Sequence, residues 1–304
     1  MRRVPSPEAS AAQGPSGPLS GKQGPSGPLS GKQGPSGPLS GKQGPSGPLS
    51  GKPSAVGASQ WRMAGSRVAA DGFVGLGADL APETLVDAYL SGIFPWPHED
   101  DPLPWFSPDP RALIDGESIR VSRSLRRQMR TCSWFTTVDR AFGEVIRYCA
   151  SRPDGGATWI TEAMIEAYGT LHRMGWAHSL EVWDGEALVG GIYGVRVGGC
   201  LTAESMFHRR TGASKVALVD LVTRWVEAGG AFVDVQLPTA HLESMGAIAI
   251  ARRDFIRRLK TERNRVVSMA LEPRSVSALS HRNWSPDAFQ SDRNYAGQSG
   301  VEKA

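Results

Sequence analysis

The chain is expected to fold as an α+β protein, a small N-terminal domain ahead of a larger domain built on a central mixed sheet. Three observations carry that expectation. From residue 137 onward, segments of helical and of strand period follow one another without strict βα alternation. A proline- and tryptophan-dense stretch, PWPHEDDPLPWFSPDPRAL (95–113), separates an early helix from that region. Asp184-Gly185 falls between two apolar runs, the pattern of a tight antiparallel hairpin.

The elements follow in order. Residues 13–52 are four perfect copies of QGPSGPLSGK, mostly glycine, proline and serine, with too little apolar area to offset chain entropy. Their period of ten excludes a collagen helix. GPLSGKQ (17–23) imitates a phosphate loop, but its glycine spacing is one short and Gln23 follows the lysine. Residues 1–60 are therefore expected to be a disordered extension, with folded sequence from about residue 68. A helix is predicted over about 82–91, with Pro82 in its first turn and Gly92 ending it. The proline-dense stretch reads as irregular and completes an N-terminal domain over 68–118.

The second domain is expected over 119–262. It opens on IRVSRSLRRQMR (119–130), which holds five arginines and no acid. TVDRAFGEVIRYCA and TEAMIEAYGTLHRMG read as amphipathic helices, and HSLEVWDGEALVGGIYGV as a hairpin that LTAESMF extends into a meander. SKVALVDLVTRWVEAGG is a helix closed by Gly229-Gly230, AFVDVQL a strand, HLESMG a short helix and RRDFIRRLK a basic one. The order is ααββββαβα. Residues 263–304 are polar and are expected to be a disordered tail.

Composition narrows the functional classes. Lys and Arg number 34 against 30 acids, a net charge of +4, but the repeats alone contribute four lysines and no acid. Net charge is thus no argument for a nucleic-acid partner; local clusters must make it. Cys132, Cys149 and Cys200 form no CxxC pair and fit a reducing cytosol. MRRVPSPEAS lacks the apolar core of a signal peptide, and no apolar run approaches the ~20 residues of a bilayer span. A cytoplasmic protein without a membrane partner is expected.

Familiar chemistries fail one by one. There is no HExxH, and the six histidines are scattered in sequence. Ser205 lacks the glycines of a nucleophile elbow, and Gly75-Leu76-Gly77 does not continue into a dinucleotide fingerprint. RRTGAS (209–214) comes closer. It lies between a strand and a helix, as does the pyrophosphate loop of acetyl-coenzyme-A-dependent N-acyltransferases, but ends in Ser214. Glu204 stands out in LTAESMF, where a carboxylate within an apolar run points to solvent or lines a cavity that holds a cation.

Nine strings then occur in order: GIFPW (92–96), WFSPDPR (105–111), TWIT (158–161), HSLEVW (178–183), LVGGIYGV (188–195), ESMF (204–207), ASK (213–215), DVQ (234–236) and HLESMGA (241–247). Together they resemble the bacterial leucyl/phenylalanyl-tRNA–protein transferases over about residues 72–260. The resemblance implies an acetyltransferase-like (GNAT-like) C-terminal domain that does not use acetyl-coenzyme A. It implies transfer of leucine or phenylalanine from Leu-tRNA or Phe-tRNA to proteins beginning with Arg or Lys, creating an N-degron. No cofactor, metal or ATP is implied, because the aminoacyl ester is already activated, and a monomer is expected.

The resemblance also places the site. Asp234 and Gln236, two apart on a strand, are expected to share a face. Gln236 would accept a hydrogen bond from the attacking amine and Asp234 would orient it; the plainer reading is a buried hydrogen-bonded pair. An amide is too weak a base to take a full proton, so Gln236 is expected to position the amine. Glu204 completes the catalytic set by pairing with the acceptor's cation, its plainer role being a bridge to Arg209, Arg210 or Lys215. Ile192, Leu201, Met206, Phe207, Leu218 and Leu221 are expected around the donor side chain, where methionine adapts to unlike shapes. Trp96 and Trp159 are expected to grip the 3′-terminal adenosine by stacking. Arg120, Arg123, Arg126, Arg127 and Arg130 form the best tRNA phosphate patch, with Arg252, Arg253, Arg257 and Arg258 second. The sequence also admits two other readings, an acyl-coenzyme-A N-acyltransferase and a non-catalytic tRNA-binding module.

Overall fold

The computed structural model describes residues 2–3, 52–63, 65–97, 102–151 and 158–282. Repeat residues 13–51 and residues 283–304 of the expected tail lie outside the described residues. The N-terminal part holds β1 (Arg2–Arg3), β2 (Trp61–Arg62), β3 (Phe73–Leu76), α1 (Pro82–Leu90), β4 (Phe94–Pro95) and β5 (Pro104–Phe106). β1 pairs β2, and a separate small sheet has the order β3-β5-β4.

Then come β6 (Arg111–Ile114), α2 (Arg123–Thr131), β7 (Phe135–Val138), α3 (Phe142–Cys149), α4 (Glu162–Arg173), β8 (Ala177–Asp184) and β9 (Ala187–Val197). β10 (Cys200–Thr202), β11 (Ser205–His208), α5 (Ala213–Glu227), β12 (Phe232–Gln236) and α6 (Ala240–Ser244) follow. β13 (Ile248–Ile250), α7 (Arg252–Glu262), β14 (Arg274–Ser275) and α8 (Val276–Ser280) complete the described chain. The large sheet is mixed, in the order β13-β6-β12-β10-β9-β8-β7-β14, with β11 also on β9.

Helices cover both faces, so β8 and β9 read as nearly unbroken buried runs. One core gathers Leu85 and Tyr89 of α1, Val145 and Ile146 of α3, and Met164 and Tyr168 of α4. The other gathers Leu218, Val222 and Trp225 of α5, Leu125 and Met129 of α2, and Leu279 of α8. The polar network beneath α5 is fully paired: Arg224 bonds Asp220 at 2.9 Å, and Thr136 donates to the same carboxylate.

Several expectations are corrected. The proline-dense stretch forms β4, β5 and the start of β6, because Pro104 opens its strand and Pro95 sits on an edge, where no ladder donor is lost. β6 joins the large sheet, which therefore begins before residue 119. Thr137 and Val138 belong to β7 rather than to a helix, since β-branched side chains pair well against β8. Asp139, at φ 59°, separates that strand from α3.

Residues 53–60 are not loose. The Ser54 N–H bonds Met174 O at 2.8 Å, Ser54 O accepts from the Trp176 indole at 2.9 Å, and Gln60 donates to Asp79 at 2.8 Å. Residues 263–282 also pack, with Val267, Met269, Val276 and Leu279 buried against α2 and α5. Glycine–proline composition hid the first segment and polar spacing the second.

Candidate active site

β10 and β12 are parallel neighbours within the mixed sheet, in register Leu201↔Val233 and Thr202↔Asp234. Their last shared bond runs from the Ala203 N–H to Asp234 O at 2.8 Å. Beyond it both strands bulge, and the crevice that opens past the ends of two parallel strands is a natural ligand site.

The first bulge answers why a carboxylate interrupts LTAESMF. Leu201 pairs with Arg196 but Ser205 with Tyr193, so four steps on one strand match three on the other. Thr202 Oγ1 takes the Val195 N–H at 2.9 Å, and the Glu204 N–H bonds Tyr193 O at 3.0 Å. Opposite lies Gly194, where a Cβ would meet Thr202 O at 1.7 Å, so only glycine admits this bulge. Glu204 is thereby turned inward and is 7% exposed.

The second bulge makes Val235 the extra residue. Asp234 pairs with Leu113 and Gln236 with Ala112, adjacent residues of β6. Asp234 and Gln236 therefore do not share a face by alternation, contrary to the expectation from spacing. Asp234 turns to Arg111, which grips it through Nε–Oδ1 at 2.9 Å and Nη2–Oδ2 at 2.7 Å. The guanidinium lies between the rings of Phe94 (4.8 Å) and Phe255 (4.6 Å), and Nη1 donates to Gly92 O. Asp234 Oδ1 also accepts the Gln236 N–H at 2.9 Å, which holds Gln236 at φ 65°, a conformation unusual for its type.

Gln236 Nε2 donates to Glu204 Oε1 at 3.0 Å. Glu204 Oε2 is buried and has no hydrogen-bond partner, and neither has the Tyr193 hydroxyl. Burial is the main force pushing the Glu204 carboxyl upward, opposed by Thr202, Tyr89 and Gln236. Burial also raises Tyr89, Tyr168 and Tyr193 well above the ordinary phenol range, and the Glu204 charge adds to each. Tyr89 and Tyr168 share a hydrogen bond of 2.5 Å behind it.

In front of this pair lies a cavity of about 200 Å³. Of the residues singled out in sequence, Trp96, Trp159, Ile192, Glu204, Met206, Leu218 and Gln236 line it. Leu201 and Leu221 do not; both are buried in the core that α5 forms against the sheet. Phe207 stacks on Tyr148 at 4.9 Å instead, and Asp234 is held away by Arg111. Arg120, Arg123, Arg127 and Arg130 are exposed and Arg126 half-buried around α2, which buries only Leu125 and Met129. These arginines stand outside the cavity, near the start of α5, where Gln128 Nε2 bonds Thr211 O at 2.6 Å.

The structure adds residues that spacing could not assign: Phe94 and Leu242 in the lining, Arg111 behind Asp234, and the tyrosines behind Glu204. Phe94, Arg111, Tyr193 and Leu242 each lie in one of the nine family-like strings, so a signal was present without a role. RRTGAS caps α5 through Gly212 (φ 88°), but a Cβ there would meet Gln128 Oε1 at 2.3 Å, so a side chain covers that loop. Histidines scattered in sequence meet in space, as His172 and His178 flank Asp139. His178 commits both ring nitrogens, one to Asp139 at 2.8 Å and one to Gly175 O at 3.1 Å.

Residues 113–260 match the family model described as leucyl/phenylalanyl-tRNA protein transferase, and 78–109 match that of its N-terminal domain. A Shewanella baltica protein named leucyl/phenylalanyl-tRNA–protein transferase is 46% identical over 201 residues, 66% of this chain and 85% of that relative. The chain belongs to the leucyl/phenylalanyl-tRNA protein transferase family.

Proteins with the same name from an Anaeromyxobacter species and from Psychrobacter arcticus are 49% and 44% identical to this family member, over 62% of its length and 81% and 73% of theirs. The C-terminal domain of a putative lysylphosphatidylglycerol synthetase from Agrobacterium fabrum superposes with a TM-score of 0.32 at 11% identity, over 74% of this chain and 73% of its own. That is too loose to argue from. No helix among the described residues of this transferase-family chain is long and apolar enough to cross a membrane.

Proposed function

We propose that the protein transfers leucine or phenylalanine from aminoacyl-tRNA to the N-terminal Arg or Lys of acceptor proteins, marking them for proteolysis. The observation that carries this reading is the Glu204–Gln236 pair, with an unpartnered carboxylate oxygen, at the wall of an apolar cavity. A buried carboxylate without a counter-charge is costly, and a cationic acceptor supplies the charge.

Each part has a task. Ile192, Met206 and Leu218 take the donor side chain; Trp96 and Trp159 hold the terminal adenosine; the α2 arginines meet tRNA phosphates. An ionised Glu204 can only accept hydrogen bonds, so it fixes the Gln236 amide with Nε2 toward itself and leaves Oε1 to accept from the attacking amine. Arg111 and Asp234 hold the Gln236 backbone in place. The amine nitrogen attacks the ester carbonyl, the new C–N bond forms, the C–O bond to ribose breaks, and the amine proton passes to the departing ribose oxygen. An α-amine with a pKa of about 7.7–8.0 is partly neutral at cellular pH. Placement, worth roughly 7–11 kcal/mol, does most of what deprotonation would do.

The parallel β10/β12 pair, diverging at the reacting groups, supports an acetyltransferase-like catalytic half. We take residues 68–118 and 119–262 as the two domains, with β6 the strand that the first lends to the second's sheet. We place this activity in the cytoplasm and take the chain to act as a monomer. The Gln128 side chain against Gly212 disfavours a coenzyme pyrophosphate there. The test is labelled leucine on Leu-tRNA, offered to an Arg-starting and a Glu-starting peptide. Label in the Arg peptide alone supports the reading, and label in neither with tRNA still bound leaves only an RNA-binding module.

A further inference from the structure

Two cavities flank one short segment. Phe94 lines the cavity at Glu204, while its neighbour Ile93, about 3.8 Å away along the chain, lines an open groove of about 690 Å³. The apolar part of the groove is Met63, Val68, Leu90, Ile93 and Ile256, with no aromatic ring among them. Its basic wall is Arg252, Arg253, Lys260 and Arg263, from α7 and the turn after it. Arg253 is 84% exposed, and Lys260 and Arg263 are exposed as well. The one acid lining the groove among the described residues, Asp109, already accepts the Arg252 N–H at 3.0 Å.

We propose that this groove receives the acceptor polypeptide downstream of its N-terminal residue, favouring a segment in which an aliphatic side chain is flanked by acidic ones. The inference rests on the transfer reading above. An extended chain alternates its side chains, so one can enter the aliphatic part while its neighbours face the cationic wall. RNA fits less well, because its bases find no ring to stack on and its phosphates gain nothing from an apolar surface. The chain's own repeats are excluded by charge, since each carries a lysine and no acid. An extended acceptor spans about 20 Å in six residues, several times the ~3.8 Å step between Ile93 and Phe94, which line the two cavities.

The test uses the full chain and a Lys260→Glu/Arg263→Glu double variant, both exposed positions outside the reacting cavity. Three substrates are compared: an Arg-starting tripeptide, a longer Arg-starting peptide with Glu-Leu-Glu about six residues in, and the same peptide with Lys-Leu-Lys. For the wild type, KM is expected about tenfold lower for the acidic peptide than for the basic one, and the double variant is expected to remove that difference. The tripeptide KM and the Leu-tRNA KM should stay unchanged. Equal KM values for the two long peptides, or a variant effect confined to the Leu-tRNA KM, would overturn the proposal. If the wild type labels no tripeptide at all, it is the transfer reading that has failed.

Discussion

Gln236 donates its side-chain amide to Glu204 across 3.0 Å, joining two strand ends that have just parted. Each group sits there because a bulge turned it. The pair is thus only as accurate as the two irregularities that aim it.

Replacing Gln236 by Ala removes the acceptor for the amine and frees Glu204. Turnover is expected to fall about 100-fold, the scale of a misplaced reactant, with little change in the KM for Leu-tRNA. Gln236→Glu sets two carboxylates face to face and should be no better. Steady-state kinetics on both substrates separates these outcomes.

Burial raises the Glu204 carboxyl, so the ionised form that pairs with a cation is lost at a higher pH than for an ordinary glutamate. Transfer should therefore switch on with rising pH through a midpoint above the usual carboxylate range. Glu204→Gln should remove the Glu204 limb as well as lowering activity, leaving in the pH–rate profile only the rise set by the acceptor α-amine at about pH 7.7–8.0.

Glu181, fully buried on β8, is pushed from 4.5 to about 7, chiefly by burial. A group raised on folding favours its protonated state, so its contribution is complete below about pH 4.5 and lost as pH climbs through about 7. That shift corresponds to about 3 kcal/mol, an upper bound. Melting curves over this range should slope downward with pH more steeply in the wild type than in Glu181→Gln.

Arg111→Met leaves the Asp234 charge buried and alone, at a cost of about 3–5 kcal/mol. The melting temperature should drop by about 10 °C. Arg111→Lys, which keeps charge but loses the two-point grip, should fall between the two in both stability and turnover.

Trp96→Ala and Trp159→Ala should each raise the KM for aminoacyl-tRNA by about tenfold or more, as expected for one lost stacking partner. The KM for the acceptor peptide should be unaffected. A matching rise for both substrates would assign the rings to cavity shape rather than to adenosine.

Much of this architecture was legible. The 184–187 turn, the α5 period and the lone carboxylate in LTAESMF each follow from local pattern, and the structure keeps all three. What escaped depends on register. Alternation put Asp234 and Gln236 on one face, and a single inserted residue, Val235, undid it. Leu201 and Leu221 carry the same apolar signal as Ile192 and Leu218, yet only packing decides which pair faces a cavity. The Arg111–Asp234 bond spans 123 residues and has no local signature.

The segment at 53–63 has a practical consequence. It is tied at one end to Met174 and Trp176 and at the other to Asp79 and Asp87, the latter through the Met63 N–H at 3.0 Å. It thus fastens the helix that bears Tyr89 to the helix that bears Tyr168. An expression clone started at residue 78, where the family-model match begins, would strip the Trp176 indole and Asp79 Oδ2 of the partners this segment supplies. A clone started at Pro53 would keep the fastening whole.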